Sequence, residues 1–193
     1  MTMSQPGKLV IISGPSGVGK TTVLKDLFTR CQVPLVPSVS ATTRPQRPGE
    51  VPGQNYHFLS DQQFQEHLEQ GDFLECVEVF GRGHWYGTLR EPVSTGLSDG
   101  KWIVLEIDVE GAAKVLQEYP EAITIFIHPG SIEELERRLR GRGTETEDAL
   151  SRRLEVAQRE LDAASSYQHI VTNESVDQTV RDICQLLEAL ENQ

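Results

Sequence analysis

The residues Gly14-Pro15-Ser16-Gly17-Val18-Gly19-Lys20-Thr21 fit the pattern G-x-x-x-x-G-K-[ST] without a mismatch, and Thr22 continues the run. Glycines at these spacings let backbone N–H groups converge on an anion. Lys20 can reach the outer phosphates of a nucleotide, and the Thr21 hydroxyl is placed to ligate Mg²⁺. Two further groups of residues suit phosphate. Ser38-Val39-Ser40-Ala41-Thr42-Thr43-Arg44 with Arg47 sets two arginines among hydroxyls. Arg138 and Arg142 share a helix face at i,i+4, and Arg153 can approach from a second helix, a cluster that repels itself until an anion arrives. On spacing alone, the first group could equally be an ordinary solvated loop. The second could equally pair with Glu133, Glu134, Glu145 and Glu147 on a solvated surface. Glu106 and Asp108 close an apolar run, where they could hold Mg²⁺ through water, face an acceptor, or be a plain strand-end pair facing solvent.

These side chains need elements to position them. Lys8 to Ser13 reads as a short buried strand and Thr22 to Phe28 as the following helix, so strand, glycine loop and helix arrive in the order that a nucleotide site requires. Lys101 to Asp108, Ile123 to His128 and Ile170 to Asn173 repeat the buried-strand signal. The helices between them fit right-handed crossovers in a parallel sheet. Between the first helix and the second core strand the texture changes. Val33 to Gln54 is rich in proline and glycine and predicts loops. Ser60 with Gln63 forms a capping box for a helix through about Gln70, closed by Gly71. Phe73 to Phe80 and Trp85 to Thr88 predict two strands joined by a turn at Gly81 to His84, and Leu89 to Leu97 a helix ending near Gly100. Ser131 and Glu134 cap a helix that breaks at Gly141 and Gly143. Thr144 and Glu147 are expected to cap the next one, whose apolar face is Leu150, Leu154, Ala157 and Leu161. Ser175 and Gln178 cap a last helix that packs through Val180, Ile183, Leu187 and Leu190.

Composition bounds the function. Acidic residues outnumber basic ones 29 to 18, a formal charge of −11, which argues against broad binding to nucleic acid or to an anionic membrane. Met1 to Gly7 lacks an apolar leader region and no run approaches the ~20 apolar residues of a membrane span, so a soluble, cytoplasmic protein is expected. Cys31, Cys76 and Cys184 are odd in number, far apart along the chain and without metal-ligand spacing, which predicts reduced packing residues. His57, His67, His84, His128 and His169 form no ligand pair at helical spacing, and no structural metal is expected.

In content and order the motifs resemble guanylate kinase over nearly the whole length. The residues that carry the resemblance are Ile12 to Thr21, Ser38 to Arg44 with Arg47-Pro48-Gly49-Glu50, Tyr86-Gly87-Thr88, Leu105-Glu106-Ile107-Asp108 and Arg138 to Thr146. Where the family usually reads F-x-G-N-Y-Y-G, this chain has Phe80 to Gly87, about two residues longer. At Glu106 the family commonly has Asp. The resemblance implies one α/β domain with a phosphate-loop parallel-sheet core flanked by helices, over about 7–36, 97–137 and 156–193. It further implies an inserted mixed α/β GMP-binding lobe over about 37–96 and a short helical lid over about 138–155.

The implied reaction is Mg²⁺-dependent, reversible transfer of the γ-phosphoryl group of ATP to GMP, and dGMP as a further acceptor, giving ADP and the nucleoside diphosphate. By the resemblance, Gly14, Pro15, Ser16, Gly17, Val18, Gly19, Lys20, Thr21 and Thr22 hold ATP, with Asn173 against adenine. Ser40, Glu75 and Thr88 contact guanine, and Arg44, Arg47, Tyr56 and Tyr86 hold the GMP phosphate. Glu106 and Asp108 lie between the nucleotides, Thr21 and, through water, Asp108 hold Mg²⁺, and Lys20, Arg138, Arg142 and Arg153 stabilise the transferred group. Oligomeric state is left open. Two rival readings are a phosphate-loop kinase of another small acceptor, which would not need Glu75 with Ser40, and a non-enzymatic guanylate-kinase-like scaffold, which typically has a degraded loop.

Overall fold

Leu9–Ser13 is a strand (β1) with every residue buried, as expected of a parallel strand covered on both faces. In the computed structural model, which describes residues 7–79, 83–141 and 146–191, β1 lies in the middle of a five-stranded sheet. Its fellows are β2 (Leu35–Pro37), β7 (Trp102–Glu106), β8 (Ile123–His128) and β9 (His169–Thr172), in the order β2-β7-β1-β8-β9. A four-stranded sheet contains β3 (Ala41–Thr42), β4 (His57–Phe58), β5 (Phe73–Val79) and β6 (His84–Leu89), in the order β4-β3-β6-β5. The protein is therefore α/β, with a parallel-sheet core flanked by helices and a second, mixed sheet. The turn expected between β5 and β6 falls largely outside the described residues.

The chain divides into two compact units, Met1–Leu9, Val36–Leu105 and Glu110–Ala122 in one, and Val10–Leu35, Glu106–Val109 and Ile123–Gln193 in the other. The first contains the mixed sheet, in which β3 pairs parallel with β4 and antiparallel with β6, and β6 pairs antiparallel with β5. Helix α2 (Asp61–Gln70) carries the capping box at Ser60 and Gln63 and stops at Gly71, as its sequence predicts. It buries Phe64, whose ring stacks on Phe73 with centroids 4.4 Å apart, and Leu59, Leu68, Trp85 and Leu89 close around that pair. Helices α3 (Arg90–Ser98) and α4 (Val109–Glu118) complete this unit, linked by an ion pair between Arg90 and Glu118.

In the second unit β1, β8 and β9 run parallel. Helix α1 (Lys20–Arg30) follows β1; α5 (Ile132–Arg140) is capped by Ser131, which accepts the Glu134 N–H. Helix α6 (Glu147–Asp162) is capped by Thr146, two residues after Thr144, which lies outside the described residues. Helix α7 (Val176–Glu191) buries Val180, Ile183 and Leu187, while Leu190 is only half-buried. It packs on α1, and Arg30 pairs with Asp177 across them at 2.6 Å. The same packing brings Cys31 and Cys184 within hydrogen-bonding reach although they lie far apart in sequence. Burial, then the neighbouring thiol, pushes Cys184 up to about 12. All three cysteines are free thiols.

Candidate functional site

The phosphate loop belongs to the second unit. Val18 N–H donates to the Pro15 carbonyl at 3.1 Å, which closes the loop, and α1 starts at Lys20 directly after Gly19. Two of its glycines are required sterically. A Cβ on Gly17 would come within 2.5 Å of Leu139 and one on Gly19 within 2.8 Å of the Asn173 amide nitrogen, and both have φ near +100°. Lys20 Nζ donates to the carbonyls of Gly14 (2.5 Å) and Pro15 (3.4 Å), so the ammonium sits inside its own loop. Desolvation lowers its pKa below the ordinary lysine value, opposed by Glu106, Glu160 and Asp108. A cavity of about 270 Å³ is lined by Ser16, Gly17, Gly19, Lys20, Thr21 and Glu106, among others. Across it the Thr21 hydroxyl donates to Glu106 at 3.4 Å. A hydroxyl beside the Glu106 carboxylate offers hard-oxygen donors of the kind Mg²⁺ prefers, and the charge of Asp108 bears on the neighbouring Lys20.

The arginines divide. Arg137 and Arg138 both donate to Glu134 (2.7 Å), and they hold its carboxyl down to about 2. Arg140 donates to Glu136 and Glu147 in ion pairs on the exposed surface. Arg138 does more: Nη1 donates to the Val18 carbonyl (3.2 Å) and Nη2 to that of Asn173 (2.7 Å), tying α5 to the phosphate loop. Arg153 reaches the loop from α6, donating to Ser16 Oγ at 3.0 Å. Arg142, Thr144 and Glu145 lie outside the described residues. A second cavity of about 420 Å³ opens beside Gly17, Val18 and Gly19 and is walled by Arg137, Arg138 and Asn173. Glu160, whose charge bears on Lys20, was not singled out by the sequence. The available signal was a carboxylate at i+3 from Ala157, on the apolar face of α6.

The remaining expected residues belong to the first unit and fall into two groups on the mixed sheet. Arg44 is 8% exposed; Nε donates to the Tyr86 hydroxyl (3.2 Å), and the guanidinium lies over the Tyr56 ring at 5.4 Å. Tyr56 and Tyr86 meet edge to face, with centroids 5.8 Å apart. Glu50 grips Arg44 bidentately (2.7 and 3.0 Å) and also accepts the Arg47 N–H at 2.8 Å, while the Arg47 side chain is exposed. Glu50 thus occupies donors that a phosphate would use. Its presence in the Arg-Pro-Gly-Glu run was visible in the sequence, but its partner was not. In the second group the antiparallel register sets Glu75 opposite Thr88, whose hydroxyl donates to Glu75 at 2.6 Å. Glu75 is 6% exposed, so it is no solvent-facing strand residue. Ser40 stands just before β3, and its carbonyl accepts the His57 N–H.

A parallel sheet whose first strand feeds an intact phosphate loop, with a lysine and arginines gathered on that loop, defines a phosphate-loop phosphotransferase. Residues 6–190 match the guanylate kinase family model. The chain is 58% identical over 185 residues to the guanylate kinase of Rhodopirellula baltica, covering 95% of this chain and 88% of that one. It is 47% identical over 177 residues to that of a Nostoc species, covering 92% and 87%. The guanylate kinase of Anaplasma phagocytophilum, a solved structure, superposes with a TM-score of 0.76 at 31% identity, covering 99% of this chain and 89% of that one. The chain belongs to the guanylate kinase family, an ATP:GMP phosphotransferase whose reaction yields ADP and GDP.

Proposed function

We propose that this chain divides the reaction between its two units. Gly14 to Thr22 receive the ATP phosphates, with Lys20 exchanging the Gly14 carbonyl for a phosphate oxygen, and Asn173 borders adenine. Arg44, Arg47, Tyr56 and Tyr86 hold the GMP phosphate; Ser40, Glu75 and Thr88 read guanine. Thr21 would hold Mg²⁺, with Glu106 and Asp108 through water, and the ion would supply charge that offsets that of the phosphates. No general base is needed, because the acceptor phosphate, with a second pKa near ~6, is largely ionised at neutral pH. The remaining task is in-line positioning and stabilisation of charge, which suits a set of donors and cations. Arg138, Arg142 and Arg153 supply that charge from the lid, over about 138–155, and the acceptor is held by the lobe over about 37–96. The protein acts in the cytoplasm and accepts dGMP as well as GMP.

The observation that carries this reading is the buried Glu75 carboxylate, oriented on the mixed sheet by the Thr88 hydroxyl at 2.6 Å; a carboxylate held there is an acceptor matched to the N1–H and amino group of guanine. A coupled ADP-release assay with ATP and GMP tests the reading. Turnover is expected with GMP and dGMP, to fall at least ~10²-fold with AMP or UMP, and to vanish on chelation until Mg²⁺ is restored. Equal turnover of AMP and GMP, or turnover indifferent to chelation, overturns the corresponding assignment.

A further inference from the structure

Asn173 is 4% exposed, and each of its polar groups is engaged by a different element. Its backbone N–H donates to the His128 carbonyl of β8 (2.8 Å), and its carbonyl accepts Arg138 Nη2 of α5 (2.7 Å). Its side-chain amide donates to the Val18 carbonyl of the phosphate loop (2.7 Å), and its Oδ1 accepts the Thr179 hydroxyl of α7 (3.0 Å). A side-chain amide can turn either end toward a neighbour, so something must choose. The Val18 carbonyl can only accept, which demands the NH₂ end there and leaves Oδ1 facing Thr179. Thr179 is fully buried and has one hydroxyl proton. The same hydroxyl also lies 2.9 Å from the Ser175 carbonyl, the i−4 back-bond open to a helical threonine, and 3.4 Å from the Thr172 carbonyl. The Val18 carbonyl thus sets which way the amide points, and the Thr179 hydroxyl, donating to Oδ1 at 3.0 Å, holds the amide in that orientation.

What the amide holds is the peptide between Val18 and Gly19. Glycine imposes little steric cost on either orientation of that peptide, and Gly19 has φ 103°. The C=O and N–H of a trans peptide point in opposite directions. With the Val18 carbonyl fixed by Asn173 and by Arg138 Nη1, the Gly19 N–H is turned to the opposite side of the peptide. We propose that Thr179 is a positioning residue for phosphoryl transfer, acting through Asn173 to hold the Val18–Gly19 peptide in its anion-binding orientation. The inference rests on reading the loop as the ATP phosphate site. It adds to Asn173 a task that does not involve adenine.

The test uses inorganic tripolyphosphate, which has phosphates and no base, as an inhibitor competing with ATP. Thr179→Val removes the hydroxyl at nearly constant volume. It is expected to raise the KM for ATP and the inhibition constant of tripolyphosphate about tenfold each, the loss that accompanies one broken buried hydrogen bond. The KM for GMP should stay near wild type, and Thr179→Ser, which keeps the hydroxyl, should restore both ATP-side values to within about twofold. A lowered melting temperature with unchanged tripolyphosphate inhibition would make Thr179 merely structural and overturn the proposal. If Thr179→Val does not fold, Asn173→Ala decides: tripolyphosphate inhibition weakened along with ATP supports the proposal, and ATP weakened alone overturns it. Lys20→Ala separates the underlying reading. If that variant binds tripolyphosphate as wild type does, the loop is not the phosphate site and both readings fall; if it binds weakly while Thr179→Val is unaffected, only the positioning role fails.

Discussion

Lys20→Ala is expected to lower kcat at least ~10²-fold in a protein that still folds, because a preorganised cation is removed from the charge that develops in transfer. The fold gives reason to expect both halves of that result. Lys20 opens α1, and its ammonium donates to the loop carbonyls of Gly14 and Pro15. Holding it there already carries a desolvation cost, so its loss relieves one term while weakening the balance against Glu106, Glu160 and Asp108. The melting temperature should therefore move little. The kcat should fall by more than the KM for ATP rises, since the cation matters most where charge accumulates. Steady-state kinetics with a thermal melt on the same preparation checks this. A folded Lys20→Ala enzyme with near-normal kcat would remove the phosphate loop from the mechanism.

What the sequence made legible is what short-range chemistry determines. The loop between strand and helix, the capping box at Ser60 and Gln63, the stop at Gly71 and the Ser131 cap all depend on residues within a few positions of one another, and all are present. The strands β3 and β4 escaped because each is two residues long and exists through pairing with a partner elsewhere, with no alternation of its own to reveal it. The partners of functional side chains escaped for a related reason. Glu50 on Arg44 is six residues away through an irregular loop, and Thr179 on Asn173 joins α7 to the end of β9. Cys31 and Cys184 meet only because α1 packs on α7. A cluster of arginines announced an anion but not its division of labour. Arg140 is occupied by Glu136 and Glu147, whereas Arg138, two residues earlier, is tied to the loop, a distinction set by helix rotation and by what faces each side.

Glu75→Gln is expected to change base choice more than any other single substitution in this protein. The carboxylate is 6% exposed and accepts the Thr88 hydroxyl at 2.6 Å, a short, charge-assisted bond that fixes its orientation on β5. In the proposed site it also accepts N1–H and the amino group of guanine. Adenine offers no donor at those positions, so AMP would leave a buried charge without its partners, and sites of this kind reject the wrong ligand by up to ~10⁴-fold. Glutamine keeps the shape and an oxygen for Thr88, but it turns an NH₂ toward guanine donors. Hydrogen bonds to a charged group contribute about 1.5 to 3 kcal/mol each, so kcat/KM for GMP should fall at least ~10-fold while the KM for ATP barely moves. IMP, which retains N1–H and lacks the amino group, separates the two contacts. Wild type should prefer GMP over IMP over AMP, and the substitution should shrink both gaps. Because Glu75 packs on the sheet through Thr88, a melt must accompany the kinetics, with Thr88→Ser, which keeps the hydroxyl, as the matched control for local disturbance. If a well-folded Glu75→Gln enzyme retains wild-type GMP kinetics and the same order of preference, guanine is read elsewhere and the buried carboxylate serves the sheet alone.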